Sequence, residues 1–373
     1  MRIGFDAKRA FYNYTGLGNY SRDTIRILSQ YYPNNDYFLY TPKSILNNRL
    51  NFLKERDNCH LRVPFSFSGN LFKNYWRIKN IVKDLRQDEI DIYHGLSHEI
   101  PLGIEKSNIK SIVTIHDLIF IRHPEFFSKI DRKIYYKKFL SSCRRANKII
   151  AISEQTKLDI INFFKIPENK IEVVYQGCNY VFQNPISSET RKKVILKYKL
   201  PKNFILYVSS IDERKNLMTI LKSIRNLKDQ NLVIIGDGNS YKKKCIKYIN
   251  QHQISERVHI IKNISLKEIA SIYQSADVLV YPSIFEGFGI PILESLFSKT
   301  PVITSEGGCF KESGGKHSIY INPLSHEELS VAITKVQNDN NLRDFMTEKG
   351  YEYAQKFTDD KVAKNLINIY KNL

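Results

Sequence analysis

Two carboxylates eight residues apart stand in the segment richest in chemistry, Ser283-Ile284-Phe285-Glu286-Gly287-Phe288-Gly289-Ile290-Pro291-Ile292-Leu293-Glu294. Glu286 ends a strand-exit loop, Gly287 and Gly289 bare backbone N–H groups, and Pro291 stands at the opening of a helix from about Ile290. The positive end of that helix points at the loop, and Glu294 lies about one turn in, within reach of the same ligand. Anion-binding amides flanked by two carboxylates suit a sugar nucleotide: amides for the diphosphate, carboxylates for sugar and ribose hydroxyls. An arbitrary pair of glutamates at this spacing belongs more often to a plain strand–turn–helix connection, but the glycines and the proline weaken that bland account.

Three other groups fall where strands should end. Arg214 and Lys215 follow the apolar run Phe204-Ile205-Leu206-Tyr207-Val208, at the carboxyl end where open α/β sheets bind ligands, although a surface Arg-Lys pair is common in so basic a chain. His116 follows the run from Ser111 to Ile115; a histidine so placed is more often structural than catalytic. Gly16 and Gly18 make a Gly-x-Gly turn after the first strand, and the residues that follow complete no dinucleotide fingerprint. No Asp-x-Asp occurs and no His/Cys set has ligand spacing, so neither a metal nor another cofactor is expected. The five cysteines form no CxxC pair, which fits a reducing cytoplasm.

Positioning these groups falls to short buried runs alternating with longer amphipathic ones. Strands are expected at 112–115, 148–152, 171–175, 204–208, 232–236, 258–261 and 278–281, and helices at 216–226, 266–274 and 290–297. Continuous β-branched runs suit strands buried on both faces, so the fold class is α/β with parallel sheets. A polar stretch around Asn184 to Glu189 marks a linker between two Rossmann-like halves, 1–180 and 181–356. The closing segment, 357–373, has Val362, Leu366, Ile367 and Tyr370 on one helical face.

The charge balance narrows the partners. Of 373 residues, 57 are Lys or Arg and 38 are Asp or Glu, a formal charge of +19 that suggests polyanions: nucleic acid, an anionic membrane or phosphorylated small molecules. No basic motif interleaved with stacking aromatics is present, which disfavours nucleic acid. The N-terminus has no apolar signal region and no stretch is long and apolar enough to span a bilayer. Eight basic residues crowd into 129–148 against one acid, Asp131. Lys133, Lys137, Lys138, Arg144 and Arg145 are the candidates for facing an anionic membrane, against the plainer account of a solvated helix packing its aromatic stripe on a sheet.

In order along the chain, the motifs resemble glycosyltransferase family 4, retaining enzymes of the GT-B fold. The match rests on the Glu286–Glu294 segment, on Val208-Ser209-Ser210-Ile211-Asp212-Glu213-Arg214-Lys215-Asn216-Leu217, and on Val233-Ile234-Ile235-Gly236-Asp237-Gly238, Ala276-Asp277-Val278 and Pro301-Val302-Ile303-Thr304-Ser305. Thr15-Gly16-Leu17-Gly18-Asn19-Tyr20, Ile115-His116-Asp117 and Ala151-Ile152-Ser153-Glu154 match in the first half. The resemblance implies two Rossmann-like domains facing across a cleft, the first for the acceptor and the second for a nucleotide-sugar donor, with 357–373 packing back on the first. It implies that Arg214 and Lys215 hold the donor diphosphate and that Glu286 contacts the donor sugar. Gly287, Phe288, Gly289 and Ile290 would present backbone, Glu294 would bind the ribose, Gly16 and Gly18 would approach the β-phosphate, and His116 would hydrogen-bond the donor sugar. Two departures stand out: Ser209 replaces the usual glycine, and Ser305 to Glu312 is unusual where the family often reads S-x-x-P-E.

The expected activity is metal-independent hexose transfer with retention to a glycan or lipid-linked acceptor in surface-polysaccharide or lipopolysaccharide synthesis. It would take place in the cytoplasm or on the inner face of the membrane. GDP-mannose is the favoured donor, because the 211–216 loop and the Thr-Gly-Leu-Gly opening resemble bacterial mannosyltransferases; UDP-sugars are the alternative. A nucleic-acid-binding protein, an NAD-dependent oxidoreductase and a non-enzymatic sugar-binding protein are the competing classes. Oligomeric state leaves no trace in the residues.

Overall fold

Every apolar run expected to be a strand is one, and all the pairing is parallel. The computed structural model describes residues 1–44, 48–64 and 75–373, which separate into Met1–Gly177 with Thr358–Leu373, and Cys178–Phe357.

In the first unit seven strands, β1 (Arg2–Asp6), β2 (Asp36–Tyr40), β3 (Cys59–Arg62), β4 (Ile92–Gly95), β5 (Lys110–Ile115), β6 (Lys148–Ala151) and β7 (Ile171–Val173), lie in the order β3-β2-β1-β4-β5-β6-β7. The chain winds outward from β1 to β3 and then returns to β4, so winding reverses between β1 and β4. Helix Gly16–Tyr31 connects β1 to β2, and Lys129–Arg145 precedes β6. The closing helix Asp359–Lys371 belongs to this unit, burying Val362, Leu366, Ile367 and Tyr370. Arg26 of helix Gly16–Tyr31 meets its Asp359 at 2.7 Å.

In the second unit β8 (Ile205–Val208), β9 (Leu232–Ile235), β10 (Val258–Ile261), β11 (Val278–Tyr281), β12 (Val302–Ser305) and β13 (Ile319–Ile321) lie in the order β10-β9-β8-β11-β12-β13. Here winding reverses between β8 and β11. Continuous apolar runs are required because helices cover the sheet: Ile205, Tyr207, Ile234, Val280 and Ile303 join Leu217, Ile220, Leu221 and Ile224 of helix Leu217–Asn226 in one core. The 3–4 spacing of those four helix residues turns one stripe inward. Among the described residues no helix is long and apolar enough to cross a membrane.

Candidate active site

Open α/β sheets take their ligands beyond the carboxyl ends of the strands, at the point where winding reverses. In the second unit the two flanking strands are β8 and β11, and the loops that leave them carry Arg214 with Lys215 and Glu286. Distant in sequence, these loops are tied together by backbone: Ile284 N donates to Arg214 O at 2.8 Å. Asn216, in the left-handed region at φ 57°, donates from Nδ2 to Pro282 O at 3.1 Å. Asp212 caps the turn by accepting from Lys215 N.

All three charged groups converge on one oxygen. Glu286 Oε1 takes Lys215 Nζ at 2.5 Å, Arg214 Nη1 at 2.9 Å, Ser283 Oγ at 2.6 Å and Tyr281 OH at 3.0 Å. No hydrogen bond within the described residues reaches Oε2, and that atom is absent from the buried, unpartnered polar atoms. Burial opposes the charge on Glu286, yet Lys215, Arg214 and the hydrogen bonds overcome it and hold the carboxyl down at about 2. Burial lowers Lys215, against the pull of Glu286. The result is a fixed carboxylate that clamps two cations side by side and keeps one oxygen for a further donor, such as a hydroxyl.

The rest of the Glu286–Glu294 segment shapes the backbone. Gly289 caps helix Ile290–Phe297 at φ 95°, a conformation that side chains resist, and a Cβ there would meet Ile292 at 3.1 Å. Gly287 is buried, and the Phe288 ring packs edge-on against Phe357, so this phenylalanine offers only main chain to a ligand. Glu294, half-buried on the helix, accepts from Tyr273 OH at 3.0 Å. At the departures from the family pattern, Ser209 leaves its carbonyl 1.8 Å from where a Gly236 Cβ would stand, so close packing there rests on Gly236 instead. Cys309 Sγ donates to Glu286 O at 3.2 Å, and Gly307 and Gly308, both at positive φ, face open space.

His116, 5% exposed, leaves β5 and meets Tyr20 of helix Gly16–Tyr31 edge-on at 4.6 Å. A carbonyl can only accept, so the 2.9 Å contact to Leu96 O places the proton on Nε2 and leaves the Nδ1 lone pair for a hydroxyl donor. Burial holds His116 at about 4, so it is neutral at pH 7. Gly16 and Gly18 do not form the free turn expected of them; both lie in the first turn of helix Gly16–Tyr31. Gly18 cannot carry a side chain, since a Cβ would stand 1.8 Å from Asn13 O, whereas Gly16 opens on solvent. Gly18, Tyr20 and His116 are thus gathered by one helix and one strand end.

Sequence reasoning missed several residues. Tyr281 and Ser283 are Glu286's partners, and their places two residues apart, leading out of β11, were the available signal. His98 has none. It sits after β4 at φ 65°, stacks on Phe139 at 4.2 Å, meets His116 at 5.1 Å and leaves Nδ1 buried without a partner. Below it a polar chain runs from Tyr20 through Thr114 to His94 and Tyr370.

These histidines predict an acid-labile first unit. Burial lowers His94 to about 3 and His116 to about 4, and it pushes His98 well below the ordinary histidine value. A folded pKa below the unfolded value of about 6.5 means that the unfolded chain takes the proton first, so stability falls as pH drops below that value and levels off only beneath the folded pKa. Each histidine contributes a slope of up to roughly 1.4 kcal/mol per pH unit in that window. Melting temperatures between pH 7 and pH 5 should fall steadily, and less so for His94→Gln; a flat profile would contradict the assignment.

On the basic helix, Lys133, Lys137, Lys138 and Arg144 are exposed. Lys138 and Arg145, seven residues apart, do not share the face of Lys133, Lys137 and Arg144: Lys138 reaches Glu99 at 3.1 Å, and Arg145 turns inward to Pro101 O at 2.6 Å, Ile100 O at 3.2 Å and Glu105 at 3.3 Å. The outward face instead carries Ile130, 71% exposed, and Ile134, 44% exposed. Among the described residues no three His, Cys, Asp or Glu side chains gather as metal ligands.

Two all-parallel Rossmann-like units are the architecture of GT-B glycosyltransferases. Residues 35–180 match the model of Glycosyltransferase Family 4 and residues 188–353 that of Glycosyl transferases group 1, and the chain belongs to this glycosyltransferase family. It is 24% identical over 389 residues to the O-antigen chain mannosyltransferase B of Escherichia coli, across 100% of both proteins. It is 27% identical over 242 residues to the O-antigen chain mannosyltransferase RfbU of Salmonella typhimurium, across 64% of this chain and 63% of that one. The fold superposes on a solved Anabaena protein, HepE in complex with UDP and glucose, with a TM-score of 0.79, 16% identity and full coverage of both chains.

Proposed function

We propose that the enzyme transfers mannose, with retention, from GDP-mannose to a hydroxyl of a glycan or lipid-linked acceptor in surface-polysaccharide synthesis. The observation that carries the donor site is the convergence of Arg214 and Lys215 on one oxygen of Glu286 while the other stays open. Two adjacent cations repel, and Glu286 holds them in place for a diphosphate. As the bond to the sugar weakens, charge grows on the departing diphosphate, and fixed cations stabilise it without reorganising. The same pair supplies the positive charge that a metal would otherwise bring, so the reaction is metal-independent. Glu286 Oε2 receives a sugar hydroxyl, Glu294 the ribose, and the acceptor hydroxyl attacks on the face the diphosphate leaves, with a diphosphate oxygen as base. By the family resemblance neutral His116 accepts from the donor sugar.

The two O-antigen mannosyltransferase relatives support mannose, and the UDP and glucose printed for HepE keep a UDP-sugar as the second reading. A panel of nucleotide sugars tested for protection against thermal unfolding separates them. GDP-mannose should raise the melting temperature most, and its product should keep the donor's anomeric configuration. Protection by a UDP-sugar alone would move the assignment to the second reading; protection by none would overturn both.

The enzyme works at an anionic membrane through the outward face of helix Lys129–Arg145. Ile130 and Ile134 stand among Lys133, Lys137 and Arg144, the mixture of apolar and snorkelling basic side chains that interfacial helices present. Neutralising those three cations should weaken binding to phosphatidylglycerol vesicles, read by co-sedimentation, roughly 10²-fold, at about 1 kcal/mol per residue. Unchanged binding would leave the helix as scaffold.

A further inference from the structure

The first unit has its own reversal of winding, between β1 and β4, and charged groups crowd there too. Asp6 ends β1 and takes Arg77 through both oxygens, at 3.2 Å and 2.5 Å. Arg77 also reaches Glu99 on the loop after β4 at 3.2 Å, and Glu99 takes Lys138 at 3.1 Å. These groups line a cavity of about 280 Å³. One wall is apolar: Ile78 and Leu102, joined by a 2.7 Å backbone hydrogen bond, are 38% and 46% exposed. Helix Lys129–Arg145 supplies the opposite wall with Lys137 and Lys138.

What the cavity can bind follows from which charges are already matched. Asp6 and Arg77 neutralise each other away from solvent, and Glu99 is shared between Arg77 and Lys138. Lys137 forms no ion pair among the described residues. Lys138, 47% exposed, is held by a single pair of the kind that water weakens. The lining therefore offers two cationic donors to an anion, while its carboxylates already have donors. A neutral sugar would find few free acceptors. Inorganic phosphate would meet the lysines and leave the apolar wall in water. An amphiphile with a phosphate head uses both.

We propose that this cavity binds a lipid phosphate, with the phosphate on Lys137 and Lys138 and the first carbons of the hydrocarbon on Ile78 and Leu102. The inference deepens the reading of the chain as a transferase with a lipid-linked acceptor, and rests on it: the ligand is the carrier end of that acceptor. The cavity borders the helix assigned to the membrane, so a chain leaving it starts beside Lys137.

Calorimetric titration of the full chain with farnesyl phosphate, farnesol and inorganic phosphate tests this. Farnesyl phosphate should bind at least roughly tenfold tighter than either fragment, and the double variant Lys137→Ala, Lys138→Ala should weaken it about tenfold. Leu102→Ser should weaken it several-fold while leaving inorganic phosphate unchanged. Inorganic phosphate binding as tightly would make this a plain anion site, and farnesol binding as tightly a greasy hollow; either result, or an unaffected lysine variant, overturns the proposal. Nucleotide-sugar protection measured on the same variants keeps the two readings apart. It should survive the lysine substitutions, and its absence from the unaltered protein would sink the transferase reading while the farnesyl phosphate titration still reports on this cavity.

Discussion

Lys215→Ala should lower the transfer rate by roughly 10²–10³-fold at saturating donor, the loss typical of removing one fixed donor from developing charge. Lys215 is almost wholly enclosed, with its ammonium 2.5 Å from Glu286 and 2.8 Å from Tyr281 OH, so neither water nor a neighbour can take its place. Arg214→Ala should be comparably damaging, because Arg214 Nη1 holds both Glu286 and Phe285 O, and alanine removes the second cation of the pair. Rates for both variants, taken beside circular dichroism to establish folding, check this; near-normal turnover with every active donor would remove the cation pair from the reaction. Glu286→Gln has a second readout. A carboxylate lowered from 4.5 to about 2 by folding contributes stability that is complete above 4.5 and lost as pH falls towards 2, on the order of 3 kcal/mol. The glutamine variant should be less stable at pH 7 and should lose that part of the acid sensitivity.

Ending the chain after Phe357 should unfold the first unit. The deleted helix buries Val362, Leu366, Ile367 and Tyr370, each worth about 1.5–3 kcal/mol, which together approach the 5–15 kcal/mol that holds a whole domain folded. The deletion also strips Arg26 of Asp359 and His94 of the Tyr370 hydroxyl, leaving buried polar groups short of partners. Hydrogen exchange would register the result as lost protection in β1, β4 and β5. Retained protection there would show the helix to be an ornament on a self-sufficient sheet.

How much of this was legible in the sequence depended on range. Strands built from unbroken apolar runs, such as β8, β9 and β11, announced themselves, because burial on both faces leaves no room for polar residues. Besides β12, whose Val302-Ile303 is followed by the polar Thr304-Ser305, the sequence reading found no strand at β2, β3, β4 or β13. Those carry charge or histidine, as in Asp36-Tyr37-Phe38-Leu39-Tyr40 and Cys59-His60-Leu61-Arg62, or are only three residues long, and their neighbours rather than their composition make them strands. Glu286, Arg214 and Lys215 could be named from their motifs. That they share one carboxylate oxygen could not, since it depends on β8 and β11 lying side by side across some 70 residues of chain. Charge along helix Lys129–Arg145 was countable, but its faces were not: the carbonyls that draw Arg145 inward come from a loop about 45 residues earlier.

The return of the last helix to the first unit also orders events during synthesis. A domain finished early in the chain ordinarily folds while the rest is still being made. Here the first sheet is written by residue 173, yet its final supporting helix does not exist until residue 359 and beyond have been added. During that interval the nascent chain would present an uncovered apolar strip beside helix Gly16–Tyr31, and the second unit, complete once residue 357 is made, can fold first. The older half of the chain would therefore close last.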